Sequence, residues 1–444
     1  MALLNLSDAQ TWVTARCKAL PSLEIAVADA LGCILNEDVY ATEQVPPFAN
    51  TAMDGFAVRA ADVANVPCDL EVVGTLAAGA APGAHHVVLP GQAIRIMTGA
   101  VVPEGADAIV PVENIDPLHT NDARVRVLES ATVGAAVRPA GEDIAVGQLV
   151  FARGTQLNAG HLGVLASIGR SHLHAYRRVR VGVLSTGDEL VAPPASLGPG
   201  QIRDSNRQTL MALAHQANCE VIDLGLAIDT EADIEAKVLA GLETCDALVT
   251  SGGVSMGDFD YVKVVLDRLS KSRSQPEPVA EGTAKDPVKD PVKDSVDGQE
   301  AILQPMQWMQ IAIKPAKPLA FGLIGGKPVF GLPGNPVSSM VSFELFARAG
   351  LRSMMGHAPE NLHRSSVKAI VDEELRRSTD GKTHFARVTA AFGSDGRVHV
   401  RSSGGQASNL LRSMALADAL AILPDGPTIP AGAEIQVLLL DRPS

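Results

Sequence analysis

Aromatic residues are scarce, at 3% of 444. So few flat side chains argue against the stacking platforms on which single-stranded nucleic acid is read. Positive charge is also short: 37 lysines and arginines face 50 aspartates and glutamates, a formal net charge of −13. That balance argues against a broad electrostatic grip on DNA, RNA or an anionic membrane. The five cysteines, Cys17, Cys33, Cys68, Cys219 and Cys245, are far apart and show no C-x-x-C or Cys/His zinc spacing. A disulfide framework and structural zinc are therefore not expected; five small buried side chains in a reducing compartment are. No run of about 18 apolar residues occurs, so no membrane span is expected. Met1 to Leu20 contains Asp8, Gln10, Arg16 and Lys18 and has no apolar signal-peptide core, which makes the cytoplasm the expected compartment. An acidic chain that binds an anion needs a local cation, either a lysine pair or a bound metal.

What is present is enough for several cores: 46% of the residues are hydrophobic, and the length suits domains of about 100–200 residues each. Ser7 with Gln10 makes a capping-box pattern for a helix running to Leu20, where Pro21 stops it. Leu70–Leu76, Ala93–Met97 and Ala106–Val112 read as strands joined by Gly and Pro turns. Gly141 to Gly160 is a further strand-and-turn stretch that rejoins the N-terminal helix. From about Val179 the pattern alternates: strands at Val181–Leu184, Glu220–Leu224, Ala247–Thr250, Met309–Ile313 and Val329–Leu332. Between them lie helices at about Ser205–Ala217, Thr230–Leu242 and Tyr261–Leu269, with another after Pro336. Such alternation predicts a doubly wound, mostly parallel α/β sheet whose ligands sit beyond the carboxyl ends of the strands. Ser272 to Gln304, with its repeat Lys285-Asp-Pro-Val, Lys289-Asp-Pro-Val, Lys293-Asp-Ser-Val, reads as a disordered insertion. Val367–Val371, Thr383–Ala391 and Ile435–Leu440 predict a small C-terminal β-domain.

The chemistry-bearing motifs follow the predicted strands. Ser251-Gly252-Gly253-Val254-Ser255 lets a backbone approach a ligand closely and offers amides to phosphate. Asp258 and Asp260 after it suit a bridging Mg²⁺, although a glycine turn with an aspartate N-cap fits the same residues. Ser185-Thr186-Gly187-Asp188-Glu189 places Asp188 and Glu189 where they hold metal or a ligand amine, or form a solvated turn. Asp204 or Ser205 is an N-cap for the next helix. Lys314-Pro315-Ala316-Lys317-Pro318 fixes two lysines between prolines, a stiff counter-charge for phosphate, pyrophosphate or molybdate. Pro333-Gly334-Asn335-Pro336 is a rigid turn into a helix start with free amides. Four such turns at four strand ends of one sheet imply a phosphate-bearing ligand with a metal.

These residues, with Asn50-Thr51-Ala52-Met53-Asp54-Gly55-Phe56-Ala57, Arg95-Ile96-Met97-Thr98-Gly99 and Gly141-Glu142-Asp143, resemble the MoeA family of molybdopterin molybdenumtransferases, related to the C-terminal part of gephyrin. The resemblance covers essentially the whole chain. It implies a split helical/β domain (1–45 with 138–178), a β-rich domain (46–137), an α/β molybdopterin-binding domain (179–358) and a C-terminal β-barrel-like domain (359–444). The implied activity inserts molybdenum from molybdate into adenylylated molybdopterin, releasing AMP with Mg²⁺. The implied assembly is a homodimer with active sites between subunits, fed by a molybdopterin adenylyltransferase and serving molybdoenzymes or carriers downstream.

By motif, Asp54, Thr98, Asp143, Glu189, Asp260, Lys314 and Lys317 are the implied catalytic set. Glu189, Asp258 and Asp260 are the implied metal ligands. Ser185, Thr186, Gly187, Asp188, Ser251, Gly252, Gly253, Ser255, Pro333, Gly334, Asn335 and Pro336 frame the implied pterin pocket. Ala316 stands where the family commonly has glycine, and Gly405-Gln406-Ala407-Ser408 matches the family's C-terminal pattern only loosely. A molybdopterin adenylyltransferase, which shares the α/β domain, and a non-catalytic pterin-binding scaffold are the alternative readings. The extra N-terminal half and the retained carboxylates speak against them.

Overall fold

A computed structural model describes residues 3–83, 86–254, 261–272 and 306–440. The chain divides into two compact units, Glu24–Ala175 and Met1–Leu23 with Tyr176–Ser444. All five cysteines are free; four are buried and Cys68 is half-buried.

In the Glu24–Ala175 unit, five strands lie in the order Ala108–Pro111, Gly55–Val58, Gln92–Ile96, Cys68–Leu76, Arg124–Val127. Gly55–Val58 is buried on both faces. Phe56 and Val58 join Leu70 and Val125, while Ala57 packs with Leu76, Ile94 and Ile96. Gly55 is dictated by space, since a Cβ there would lie 2.1 Å from the Val110 carbonyl oxygen. Because that neighbour is backbone, Gly55→Ala is expected to cost about 2 kcal/mol, read as a lowered urea midpoint at constant slope. An unshifted midpoint would show that the two strands separate freely. A second cluster, around Leu35, Val39, Leu157, Leu165 and Leu173, forms where Leu149–Phe151 returns to pair with Val39–Tyr40.

The N-terminal helix belongs to the other unit. It spans Leu6–Thr14 rather than reaching Leu20, and Asn5, not Ser7, caps it: the Asn5 side chain accepts from the Ser7 amide at 3.0 Å. Gln10 instead donates to the Leu345 carbonyl. Trp12 sits edge-on to Phe321 at 5.3 Å, and the Leu20 amide bonds to Met354.

The six-stranded sheet has the order Glu220–Ala227, Arg180–Thr186, Ala247–Ser251, Lys327–Leu332, Pro318–Ile324, Met306–Gln310. The first four are parallel and the last two alternate in direction. Helices cover both faces. Val181, Val249 and Phe330 pack with Leu210 and Val341 on one side, and Leu184, Leu248 and Val329 with Val238 and Val265 on the other. That is the doubly wound arrangement.

Strand Pro318–Ile324, not read from the sequence, starts at a proline, where the missing N–H is tolerated. Met306–Gln310 points the same way as Lys327–Leu332, so Gln310 reaches the carboxyl edge. Ser272, which ends helix Tyr261–Ser272, and Met306 both lie at the amino edge. The expected strand Met309–Ile313 is in fact split. At Ile311 the chain turns, its amide bonded to the Lys317 carbonyl at 2.7 Å, and Ile313–Lys314 pairs in parallel with Thr383–His384. The expected insertion lies almost wholly outside the described residues.

The C-terminal domain is a closed barrel, Thr383–Phe392, Val398–Ser402, Ser366–Val371, Glu434–Leu439, Ala419–Leu423 and back to Thr383–Phe392. Closure leaves those strands without a free edge. A buried charge cluster holds the barrel to the α/β layer. Glu344 lies in a π-helical turn, Phe343–Ala347, within the helical segment that starts at Pro336. Arg348 donates to it at 2.6 Å and Arg364 at 2.8 and 2.9 Å, and Arg364 also reaches the Leu440 carbonyl.

Candidate functional site

Two of the four turns converge on one side chain, and a third packs against them. Asn206, the first residue of helix Asn206–Gln216, donates to the Ser251 hydroxyl at 2.8 Å and to the Gly334 carbonyl at 2.6 Å. It thereby ties the turn after Ala247–Ser251 to the turn after Lys327–Leu332. Gly252 (φ +100°) is packed so tightly that a Cβ would stand 2.7 Å from the Thr186 carbonyl. This brings in the turn after Arg180–Thr186, and the Gly252 amide closes the junction by bonding to Leu332. Ser185 donates to Asp204 at 3.0 Å. Asp204 is buried, and it accepts from both the amide and the guanidinium of Arg207 at 3.2 and 2.8 Å. Asp204 thus does the capping, while Ser205 holds the N-cap position without a side-chain bond.

Pro333, Gly334, Asn335 and Pro336 lead into the next helix, with Asn335 at its N-cap and Pro336 at its first turn. Asp188 and Glu189 are exposed, on the loop after Gly187. The Asp188 carboxylate accepts from the Asp229 amide at 2.9 Å, so two acidic residues from adjacent strand ends meet there. Gly253 (φ +65°) stands at the last described part of its loop. Ser255, Asp258 and Asp260 lie outside the described residues. Among the described residues no group of three or more His, Cys, Asp or Glu side chains is placed to hold a metal.

The lysine motif is pinned to the barrel, and there a cavity of about 570 Å³ opens. Lys314, His384, Arg377, Arg387 and Gln406 are among its lining residues; Lys317 is not. Arg387 is 1% exposed. Its Nη2 reaches only the carbonyls of Gly405 and Ala407, at 3.3 and 3.2 Å, and its Nε has no partner. Burial pushes its pKa down to about 10, so it stays charged at neutral pH with no carboxylate beside it among the described residues. The Gln406 side chain clasps the Arg387 backbone from both sides, at 2.8 and 3.0 Å. At the rim, Asp380 accepts from His384 at 2.9 Å, which with Lys382 holds its carboxyl down to about 2. An inward cation without a counter-ion is a prepared seat for an anion.

In the Glu24–Ala175 unit, Asp54 and Thr98 form a pair. The amide and hydroxyl of Thr98 both donate to one Asp54 oxygen at 2.7 Å. These bonds, the backbone one first, hold the Asp54 carboxyl below its ordinary range. Asp143 is exposed, its amide bonded to the Val45 carbonyl at 3.0 Å.

Asn206, Asp229 and Arg387 are residues of this candidate site that sequence reading left out, and Asp204 was read there only as an N-cap. Arg387 had a signal: it occupies the same face as buried Phe385 in strand Thr383–Phe392, an arginine at an apolar position.

Comparison with known proteins agrees with this layout. Residues 4–169 match the MoeA N-terminal region (domain I and II). Residues 182–353 match a probable molybdopterin binding domain, and 373–440 match the MoeA C-terminal region (domain IV). The chain is 34% identical to the molybdopterin molybdenumtransferase of Haemophilus influenzae, covering 89% of this chain and 88% of that one. It is 35% identical to molybdopterin molybdenumtransferase 2 of Mycobacterium tuberculosis, covering 98% of both. The crystal structure of a molybdopterin biosynthesis MoeA protein from Pyrococcus horikoshii superposes with a TM-score of 0.71 at 26% identity, covering 99% of this chain and 100% of that one. With its carboxyl-edge turns, its barrel-side cation and relatives matched from end to end, the chain belongs to the MoeA family of molybdopterin molybdenumtransferases.

Proposed function

We propose that this enzyme inserts molybdenum from molybdate into adenylylated molybdopterin and releases AMP. The observation that carries the reading is Arg387, a buried guanidinium with no carboxylate against it among the described residues, facing a cavity shared with Lys314, whose ammonium lies 4.0 Å from the rim carboxylate of Asp380. Such a seat selects a compact oxyanion, and molybdate fits that description. The pterin lies along the turns that Asn206 joins, with backbone amides turned to its phosphate. Water cleaves the phosphoanhydride, freeing AMP and leaving the pterin its own phosphate, and the two dithiolene sulfurs displace oxygens of the molybdate held beside Lys314 and Arg387, which leave as water.

Glu189 with Asp258 and Asp260 would hold Mg²⁺, which supplies charge neutralisation at the phosphates. Glu189 is the one member of that set among the described residues. The expected compartment is the cytoplasm. A molybdopterin adenylyltransferase supplies the substrate, and molybdoenzymes or carriers receive the product. The active form is a homodimer in which Asp54, Thr98 and Asp143 serve the partner's α/β domain.

The test is molybdate-dependent AMP release and cofactor formation from adenylylated molybdopterin, comparing the wild type with Asp54→Ala and Lys314→Ala. Each variant is expected to lose at least tenfold in rate. Mixing the two inactive proteins is expected to restore about a quarter of wild-type activity, since half the dimers then hold one intact site. Restoration by neither order of mixing would place both residues in one subunit's site. Pterin binding without AMP release by the wild type would sink the transferase reading.

A further inference from the structure

A second cleft, of about 760 Å³, opens at the amino edge of the six-stranded sheet, opposite the turns that Asn206 joins. Leu20, Leu323 and Met354 give it an apolar floor, and Arg16, Lys18 and Lys327 surround it. Its single carboxylate is already engaged. Asp246 accepts both ends of the Arg177 guanidinium, at 2.6 and 2.7 Å, and the Arg180 amide at 2.8 Å. Burial alone would raise the Asp246 pKa, but the Arg177 pairing outweighs it and the group stays ionised.

The cations have no such partner. Among the described residues neither Arg16 nor Lys18 meets a carboxylate, and the Lys327 ammonium donates to the Leu242 carbonyl. Arg16 is held in place: its guanidinium carbon lies 3.9 Å from the centre of the Trp12 ring, and its Nη1 donates to the Trp12 carbonyl at 3.0 Å. A stacked arginine keeps its remaining donors free while losing little freedom on binding. In a chain of net charge −13, three cations gathered beside a single carboxylate that Arg177 already engages take their counter-charge from outside the protein.

We infer that this cleft is a second anion site, built for a phosphate ester with an apolar or flat body of nucleotide size. The volume falls within the roughly 300–1,000 Å³ of small-molecule sites. A phosphomonoester carries about −1.5 to −2 at neutral pH, which the three cations match. The apolar floor accepts the rest of the ligand, so inorganic phosphate alone is a poorer fit than an ester.

Trp12 reports on the site. In Trp308→Phe, Trp12 is the sole remaining tryptophan of two, and its emission responds to any shift of the Arg16 guanidinium stacked on it. Titration of this full-length variant with AMP is expected to give a saturable change with half-saturation below about 1 mM. Adenosine at the same concentrations gives none. Adding Lys18→Glu, an exposed position, weakens AMP by about tenfold or more with an unchanged melting temperature. Arg387→Met, at the barrel-side cavity, leaves the response intact. The inference is overturned by a flat AMP titration, by an equal response to adenosine, by indifference to Lys18→Glu, or by loss of the response in Arg387→Met. That last result would assign the AMP binding to the barrel-side cavity.

Discussion

Replacing Arg387 with methionine is expected to lower kcat/KM for molybdenum insertion about a hundredfold, roughly 3 kcal/mol of transition-state stabilisation. The same change is expected to leave the melting temperature unchanged or to raise it. The two effects share one cause. Arg387 is buried, its pKa is pushed down to about 10 by that burial, and its only polar partners are two carbonyls. Folding therefore sets a charge into a poor environment, a cost that the anion of the proposed function would offset only when substrate is bound. Methionine keeps much of the volume and removes the charge, and apolar replacement of uncompensated buried charge is commonly neutral or stabilising. Activity and stability would then move in opposite directions. A variant that loses both would mean that Arg387 holds the barrel together through its contacts to Gly405 and Ala407. Full activity at normal stability would remove it from the reaction altogether.

Glu344→Gln is expected to have the opposite profile, a loss of about 3–5 kcal/mol in unfolding free energy. The carboxylate is buried between Arg348 and Arg364. Glutamine would leave two guanidiniums, one fully buried and one mostly so, with no acid between them. Burial by itself raises the Glu344 pKa, but bonding and attraction from Arg364 and Arg348 lower it further, so the folded value sits below the ordinary one. A depressed carboxylate contributes its stability in full above the unfolded-state pKa, near 4.3, and loses it as pH falls through the folded value. The wild type should accordingly weaken in acid below about pH 4.3, and the variant should show a flatter profile over that window. Urea midpoints measured from neutral to acid pH check both statements. An unshifted midpoint at neutral pH would mean that the arginines find other partners when the carboxylate is gone.

Much of the α/β layer was legible in the sequence because its cues are local. Short apolar runs ending in Ser-Thr-Gly, Ser-Gly-Gly and Pro-Gly-Asn announced strand ends, and Thr230 announced a helix start that the fold keeps. The errors arose where distant contacts decide. The capping pattern at Ser7 lost to Asn5, two residues earlier, because Gln10 is drawn off to Leu345. Met309–Ile313 looked like one strand, yet Lys317 and the barrel divide it between two sheets. The site residues that escaped notice did so for the same reason. Asn206 is an unremarkable polar residue at a helix start until the turns around Ser251 and Gly334 fold onto it. Asp229 gains meaning only when its amide meets Asp188. Lys314 and Lys317 looked like an equivalent pair, and only the pairing of Ile313–Lys314 with the barrel sets one of them against the cavity.

The amino-edge location of Ser272 and Met306 has a practical consequence for anyone handling this enzyme. The chain leaves and re-enters the sheet at the side away from Ser185, Ser251 and Gly334. A foreign segment installed between those two points would be anchored at the edge opposite the turns of the candidate site. The junction is therefore a natural port for a fluorescent reporter or a surface anchor, installed within the polypeptide while the barrel-bearing C-terminal end stays free of fusions.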